Sequence, residues 1–299
     1  MNLVKRVAVL LAAYNGVKWI EEQIQSILNQ KSIDVTIFIS VDKSTDGTEA
    51  LVKKISHKYS NVKYLPFGFK FGGAAKNFYR LIKEVDFELF DFVSLSDQDD
   101  IWYPNKLITA VNKINTGYDF YSSNVVAFWK NGKRIIINKA QKQLPYDYFF
   151  EAAGPGCTYV FKSFQAIKLK EFIISNYKSV SEIALHDWLI YAFARNYNYK
   201  WYIDEWPSMD YRQHENNQVG ANVTIYGVIK RVRLVRQKWY RNEIIKIAKL
   251  LQVSNNHFIS KCLQERYLSN FYMIMNMHKI RRRRRDRVML FLLCVINWF

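Results

Sequence analysis

Apolar and polar positions alternate between two periods along the first hundred residues. Residues 7–13 form an uninterrupted apolar run closed by Tyr14-Asn15-Gly16, the pattern of a buried strand running into a turn. Val17, Ile20, Ile24, Ile27 and Leu28 then recur at helical spacing. Residues 35–41 are β-branched and aromatic and predict a second strand. Ser44–Thr48 supplies a cap for a helix over 48–58, and a short strand follows at 62–65. Gly72-Gly73 breaks the chain before a helix from about Ala75 to Val85, and Phe90–Leu95 is a third buried strand. Strand and helix alternate throughout, which predicts an α/β layered domain with a mostly parallel sheet. Ligands of open α/β sheets bind beyond the carboxyl ends of the strands. The polar clusters Tyr14-Asn15, Asp42 and Asp97-Gln98-Asp99-Asp100 fall at those ends.

Beyond residue 101 the pattern is less regular. It predicts a helix over Lys106–Ile114, a strand pair Phe120–Trp129 and Arg134–Ile137 about Asn131-Gly132, a strand at Thr158–Phe161 and a helix at Asp187–Asn196. From Ile225 the apolar positions Ile225, Val228, Ile229, Val232, Val235 and Trp239 return at helical spacing among Lys and Arg. Ile244, Ile247, Ala248 and Leu251 extend the stripe. A second helical stretch runs from about His257 to Ile280. Arg281–Arg285 and the apolar run Val288–Phe299 end the chain. Twelve residues are too short to cross a bilayer alone, and no other window reaches the ~20 apolar residues required. No secretory signal is visible, because the first apolar run has only seven residues.

Composition sharpens this division. With 49% hydrophobic and 16% aromatic residues in 299, the chain has ample material for a core, which excludes a largely disordered protein. Cys157, Cys262 and Cys294 are odd in number and widely spaced, which excludes a disulfide scaffold and fits a reducing compartment. The formal net charge is +18, of which residues 221–299 carry +14 and residues 1–220 only +4. A near-neutral body at 1–220 therefore bears a basic helical appendage at 221–299. Such asymmetry points to a polyanionic surface, nucleic acid or anionic lipid.

The most specific chemistry lies in Leu95-Ser96-Asp97-Gln98-Asp99-Asp100-Ile101-Trp102. Three carboxylates within four residues follow directly on a buried strand. Like charges so close repel, and a divalent cation held by oxygen ligands relieves that repulsion. A solvated acidic turn capping the next helix is the plainer alternative.

In this setting the chain resembles a known family. Ala12-Ala13-Tyr14-Asn15-Gly16, Glu22-Gln23-Ile24, Asp42-Lys43-Ser44-Thr45-Asp46-Gly47-Thr48 and Asp97-Gln98-Asp99-Asp100-Ile101-Trp102 occur in order. Gly154-Pro155-Gly156-Cys157-Thr158, His186-Asp187-Trp188 and Tyr211-Arg212-Gln213-His214 with Asn217 and Gly220 follow. Together they resemble the family 2 glycosyltransferases of the GT-A fold, in the rhamnosyltransferase-like version found in bacterial polysaccharide synthesis. The likeness spans roughly residues 5–220.

That resemblance implies a nucleotide-sugar donor and a Mn²⁺ or Mg²⁺ cofactor. It places Ala12 and Tyr14 at the nucleotide, with the Tyr14 ring on the base or simply in a turn. Asp42 then reads the base, although Val41-Asp42-Lys43-Ser44 departs from the family's usual Asp-Asp-Gly-Ser, and Asp42, Ser44 and Asp46 equally suit a helix cap. Asp99 is the direct metal ligand and Asp97 contacts the ribose or metal-bound water. Asp100 holds the loop or faces the acceptor. Lys76 reaches a phosphate or is solvated on its helix. Asp187 aligns with the general base of an inverting transfer, its carboxylate kept ionised by a helix N-terminus, and Trp188 offers a wall for a sugar. Gly154–Gly156 lets backbone approach a ligand. Residues 211–214 fall where the family closes its site with a mobile loop, Arg212 toward the diphosphate and His214 as an added metal or phosphate ligand. The acceptor implied is a lipid-linked saccharide for O-antigen or capsule, at the cytoplasmic face of the bacterial inner membrane. The basic tail then meets anionic lipid as a peripheral anchor rather than nucleic acid. A non-catalytic protein that binds nucleotide-sugar or polyanion is the alternative.

Overall fold

A computed structural model describes residues 4–214, 237–253, 256–264 and 266–299. The first half follows the alternation of the sequence. Strands β1 (Lys5–Ala13), β2 (Ile33–Val41), β3 (Val62–Tyr64) and β4 (Phe92–Ser96) are separated by helices α1 (Ile20–Leu28), α2 (Thr48–Lys58) and α3 (Ala74–Glu84). A two-residue strand β5 (Ile101–Trp102), helix α4 (Lys106–Asn115) and the hairpin β6 (Phe120–Phe128) and β7 (Arg134–Ile137) come next. After them lie β8 (Val160–Lys162), α5 (Ser163–Ser175), α6 (Tyr177–Val180), α7 (His186–Asn196) and β9 (Trp201–Arg212).

These strands form one nine-stranded sheet in the order β3-β2-β1-β4-β8-β6-β9-β5, with β7 paired to β6. The pairings make β1–β4, β6 and β9 run the same way, while β5, β7 and β8 oppose them. The sheet is mixed and mostly parallel. Strand β1 lies between β2 and β4, and helices cover both its faces. Its side chains divide by the two-residue period of a strand. Val7, Val9, Leu11 and Ala13 pack with Ile20, Ile24 and Ile27 of α1 and with Leu107, Val111 and Ile114 of α4. Ala8, Leu10 and Ala12 face Phe78, Leu81 and Ile82 of α3, with α5 and α7 in the same cluster.

Two elements escape the sequence pattern. Helix α5 is apolar on several sides and shows little helical period. Strand β9 contains Pro207 and four charged residues. It still pairs with β6 along its length, because the register shifts at Asn124, opposite Pro207, which has no N–H to donate to a ladder. Tyr211 and Arg212 therefore end a strand, where a mobile loop was expected.

After residue 237 come α8 (Trp239–Leu250), α9 (His257–Leu263), α10 (Arg266–Met275), α11 (Met277–Ile280) and α12 (Arg284–Val295). The expected stripe over 225–235, and with it Asn217, Gly220 and the boundary at 220, lies outside the described residues. The single helix expected over 257–280 is three. Asn256 caps the first by accepting from the Phe258 and Ile259 amides, and Asn276 separates the last two. Ile244, Ile247 and Ala248 of α8 are buried in the same cluster as α3 and α7. No helix among the described residues is long and apolar enough to cross a membrane.

The five consecutive arginines do not act as one group. Arg281 and Arg282 point inward. The Arg281 guanidinium donates to the Phe150 carbonyl at 2.5 Å. Arg282 donates its backbone amide to Glu151 and pairs with Asp147 at 3.4 Å and Glu151 at 3.6 Å, its side chain fully buried. These two hold the C-terminal helices on the body, which corrects the expectation that the whole run faces lipid. Removing one member of a buried ion pair leaves the other uncompensated. Arg282→Ala is expected to destabilise the fold by about 3–5 kcal/mol, seen as a lower midpoint in urea unfolding. Arg284→Ala should leave that midpoint nearly unchanged.

Candidate active site

The carboxyl ends of β1, β2 and β4 lie side by side, with Ala13 opposite Val41 and Leu11 opposite Ser96. The turns that follow are laced together. Asn15 takes the left-handed conformation, accepts from the Thr45 amide, and donates its own amide to Ser44. The Gly16 amide donates to Thr48 Oγ1 and the Val17 amide to Asp46. Asp46 also accepts from the Thr48 amide at the start of α2, the capping role expected of it.

Gln98 ties the first turn to the acidic one. Its amide accepts from the Tyr14 N–H at 2.8 Å and donates to the Tyr14 carbonyl at 2.9 Å. A Cβ at residue 16 would lie 2.1 Å from Gln98 Oε1, so this contact requires Gly16. Sequence reasoning assigned Gln98 no role. Its place between Asp97 and Asp99 was the only signal. Tyr14 is exposed just past the end of β1, while Ala12 is buried within the strand.

Asp42 is buried, and both its oxygens accept backbone amides: Oδ1 from Lys43 and Phe71, Oδ2 from Gly72 at 2.9 Å. It thus holds the strip from 69 to 72 against the cleft. Arg80 supports that strip from below, its guanidinium about equally near the Phe69 and Phe71 rings. Lys76 is exposed in the first turn of α3, at the end of the same strip.

The acidic turn is crowded. Asp97, Asp100 and Cys157 bring one ligand atom each within 4.8 Å of one another, a candidate metal-coordinating cluster. Burial first, then the charges of Asp99 and Asp187, push the Asp97 carboxyl up to about 7. Asp100 is almost fully buried. Its Oδ1 accepts the Arg212 amide, its Oδ2 meets no hydrogen-bond partner among the described residues, and burial drives its pKa well up. Asp100 therefore holds the loop against the end of β9. Burial likewise raises the Cys157 thiol and keeps it protonated. Lys106 lies buried behind the turn, 3.3 Å from Ser94 Oγ and over the Trp102 ring, with its pKa lowered by burial to about 7.

Asp99 and His214 meet, with Oδ2 and Nε2 2.6 Å apart. The imidazole stacks on Trp19 at 4.3 Å, an aromatic to which sequence reasoning gave no role. Arg212 donates from Nε to the Asp99 carbonyl, pairs with Glu22 at 2.5 Å and covers the Phe128 ring. Its fork is thus held by protein groups at the rim of the acidic turn. The acidic turn offers two donor groups, the Asp99 carboxylate with the His214 imidazole and the Asp97 and Asp100 carboxylates with the Cys157 thiol; their oxygen and nitrogen atoms suit a hard or borderline divalent cation.

Asp187 stands in the first turn of α7, with Oδ1 accepting from the Trp188 amide at 2.8 Å. A Cβ on Gly156 would come 2.6 Å from His186 Nε2 and 3.1 Å from Asp187 Cβ. The close approach that Gly156 permits is therefore to these two side chains. Tyr159 braces the same point, its hydroxyl within hydrogen-bond distance of the Gly154 and Asp187 carbonyls. Burial raises Asp187 to about 6, against the Trp188 amide and the Lys139 charge, which lower it. The helix N-terminus was expected to hold this pKa down; desolvation outweighs it, yet the group is still mostly ionised at neutral pH. His186, stacked on Phe78 and lowered by burial to about 3, is neutral. Trp188 is a core strut rather than a sugar wall. It is buried, donates from its indole to the Tyr148 carbonyl and stacks on Tyr240.

The family model described as glycosyl transferase family 2 matches residues 8–168, which run from within β1 into α5 and include the whole acidic turn. The protein belongs to that family. It is 48% identical to the dTDP-rhamnosyl transferase RfbG of Shigella flexneri, over 97% of this chain and 100% of that one. It is 30% identical to a GalNAc(5)-diNAcBac-PP-undecaprenol beta-1,3-glucosyltransferase of Campylobacter jejuni, over 38% of this chain and 36% of that one. Among solved structures, S. aureus TarS 1-349 superposes with a TM-score of 0.57 at 15% identity, covering 96% of this chain and 90% of the other. A Pyrobaculum calidifontis mannosyltransferase in complex with GDP-Man and Mn²⁺ gives 0.54 at 12% identity, covering 99% and 87%. The described chain is therefore a GT-A-like core followed by a C-terminal basic helical region, and the protein is a glycosyltransferase. The alternative of a non-catalytic binding protein is set aside.

Proposed function

We propose that this family 2 enzyme is an inverting, metal-dependent transferase. It moves a sugar, rhamnose in the first instance, from a dTDP- or UDP-sugar to a lipid-linked saccharide in bacterial O-antigen or capsule synthesis. One observation carries the mechanism. Gly156 packs against Asp187, the one carboxylate of α7, and its chain neighbour Cys157 belongs to the cluster with Asp97 and Asp100, which supports a base beside the acidic turn. The RfbG relative supports the donor nucleotide and the sugar.

In this reading Tyr14 stacks on the base, and the free lone pair of Asp42 Oδ2 accepts the imide N–H that thymine and uracil share. Ala12 lines the nucleoside pocket and Asp97 meets the ribose. Asp99 and His214 hold the cation, with Asp97 beside them. A bound Mn²⁺ or Mg²⁺ supplies charge neutralisation at the diphosphate. Lys76 and Arg212 add cationic donors at its rim, Arg212 by exchanging Glu22 for phosphate oxygen. Asp187 takes the proton of the acceptor hydroxyl as that oxygen attacks the anomeric carbon. The bond from that carbon to the diphosphate oxygen breaks, and its electron pair leaves with the nucleoside diphosphate. Attack from the face opposite the leaving group inverts the anomeric centre. The lipid-linked acceptor sets the enzyme at the cytoplasmic face of the inner membrane as a peripheral protein.

A donor comparison tests the reading. Purified protein with Mn²⁺ and extracted lipid-linked acceptor is expected to release dTDP from dTDP-rhamnose at least tenfold faster than UDP from UDP-glucose or UDP-galactose. Faster turnover of a UDP-sugar would overturn the rhamnosyl assignment.

A further inference from the structure

The two last long helices carry apolar side chains on both faces. On the inner side, Ser269, Asn270 and Met273 of α10 and Leu290 and Cys294 of α12 are buried. Asn270 joins the helices by donating to the Cys294 carbonyl and to the Asn297 side chain. The outer side has no such cover among the described residues. On α10, Leu268 is 76% exposed and Phe271 65%; on α12, Val288, Met289, Leu292 and Val295 are all about half exposed. Folded proteins scatter single apolar residues over their surfaces but rarely gather this many on adjacent helices without a partner.

We propose that the outer face of α10 and α12 is a docking surface for an anionic lipid bilayer, into whose interfacial layer Leu268, Phe271, Met289 and Leu292 insert. The inference rests on the membrane reading given above and names the part of the protein that carries it. Charge selects the occupant. Arg284 and Arg285 are exposed in the first turn of α12, at the edge of the apolar row, and suit anionic headgroups. The buried centre of a protein–protein interface is instead depleted of charge. Tyr267 and Trp298 stand exposed at the margins, where an aromatic ring with a polar tip suits the level of the headgroups. Length agrees as well. The twelve residues of α12 reach about 18 Å, short of the ~30 Å hydrocarbon layer, so the helix lies along the surface.

Vesicle flotation of the full chain decides the matter. The probes are phosphatidylethanolamine–phosphatidylglycerol vesicles and neutral phosphatidylcholine vesicles. The wild type is expected to float with the first and at least tenfold less with the second. Leu268→Glu/Met289→Glu and, separately, Arg284→Glu/Arg285→Glu should each reduce flotation at least tenfold, while donor hydrolysis without acceptor stays unchanged. Ile136→Glu, on the exposed edge strand β7, controls for an added charge and should float like the wild type. Wild-type flotation that both double variants retain would overturn this face and leave the membrane reading standing. A wild type that floats with neither vesicle would overturn both. A dimer that Leu268→Glu/Met289→Glu dissociates, without vesicle binding, would assign the face to a second copy and overturn the proposal.

Discussion

Asp187→Asn is expected to lower kcat by about 10³-fold, within the range a general base contributes, and at the same time to raise the stability of the unliganded protein. Asparagine keeps the Oδ1 acceptor for the Trp188 amide, so the first turn of α7 retains its hydrogen bond. What it loses is a buried negative charge. Burial raises the Asp187 carboxyl from its ordinary value of 3.8 to about 6 in the folded protein. Between those pH values the folded state binds more proton than the unfolded one, so stability falls as pH rises. At pH 7.5 the ionised wild type carries a penalty of at most about 3 kcal/mol that the amide does not. Thermal unfolding at pH 7.5 should show a higher midpoint for the variant, and the gap should close toward pH 4. In the wild type kcat should decline as pH falls through about 6, as the base takes up its proton. A variant with full activity, or a pH profile flat through 6, would remove Asp187 from the chemistry.

Asp99→Asn is expected to lower activity by at least about 10²-fold and to abolish the response to metal. A ligand that binds only the folded state stabilises it by mass action, about 2.7 kcal/mol at a hundred times its Kd. Adding Mn²⁺ should therefore raise the wild-type unfolding temperature, and chelation should reverse both that rise and the activity. In the variant the carboxylate that meets His214 at 2.6 Å is gone, so the rise should disappear. An undiminished Mn²⁺-dependent rise in Asp99→Asn would place the cation elsewhere in the acidic turn, with Asp97 and Asp100.

The sequence exposes what depends on local period and turn chemistry. Val7 to Ala13 read as a buried strand because β1 is covered on both faces, and Gly72-Gly73 marked the start of α3 because both glycines take positive φ. The three carboxylates after β4 signalled a site through their mutual repulsion alone. Features set by distant contacts were not legible. Nothing near Gln98 announces its lock on Tyr14, which needs the missing side chain of Gly16 in another turn. Arg281 and Arg282 look like their three successors until the Phe150 carbonyl, for the first, and Asp147 and Glu151, for the second, about 130 residues earlier, are folded against them. Strand β9 was masked by Pro207 and its charges, because a shift in its partner β6 absorbs the irregularity. Trp188 resembled a sugar platform, yet Tyr148 and Tyr240 enclose it. For Asp187 the sequence placed the helix N-terminus correctly and missed the desolvation that outweighs it.

The stereochemistry of transfer bears most directly on the mechanism. With the nucleotide-sugar of known anomeric configuration, Mn²⁺ and the lipid-linked acceptor, the glycosidic bond made by the wild-type enzyme can be assigned by NMR. One carboxylate base at Asp187, facing the acidic turn, predicts a product with the anomeric configuration opposite to that of the donor. A product with the donor's configuration would contradict the single-displacement mechanism and the role given to Asp187.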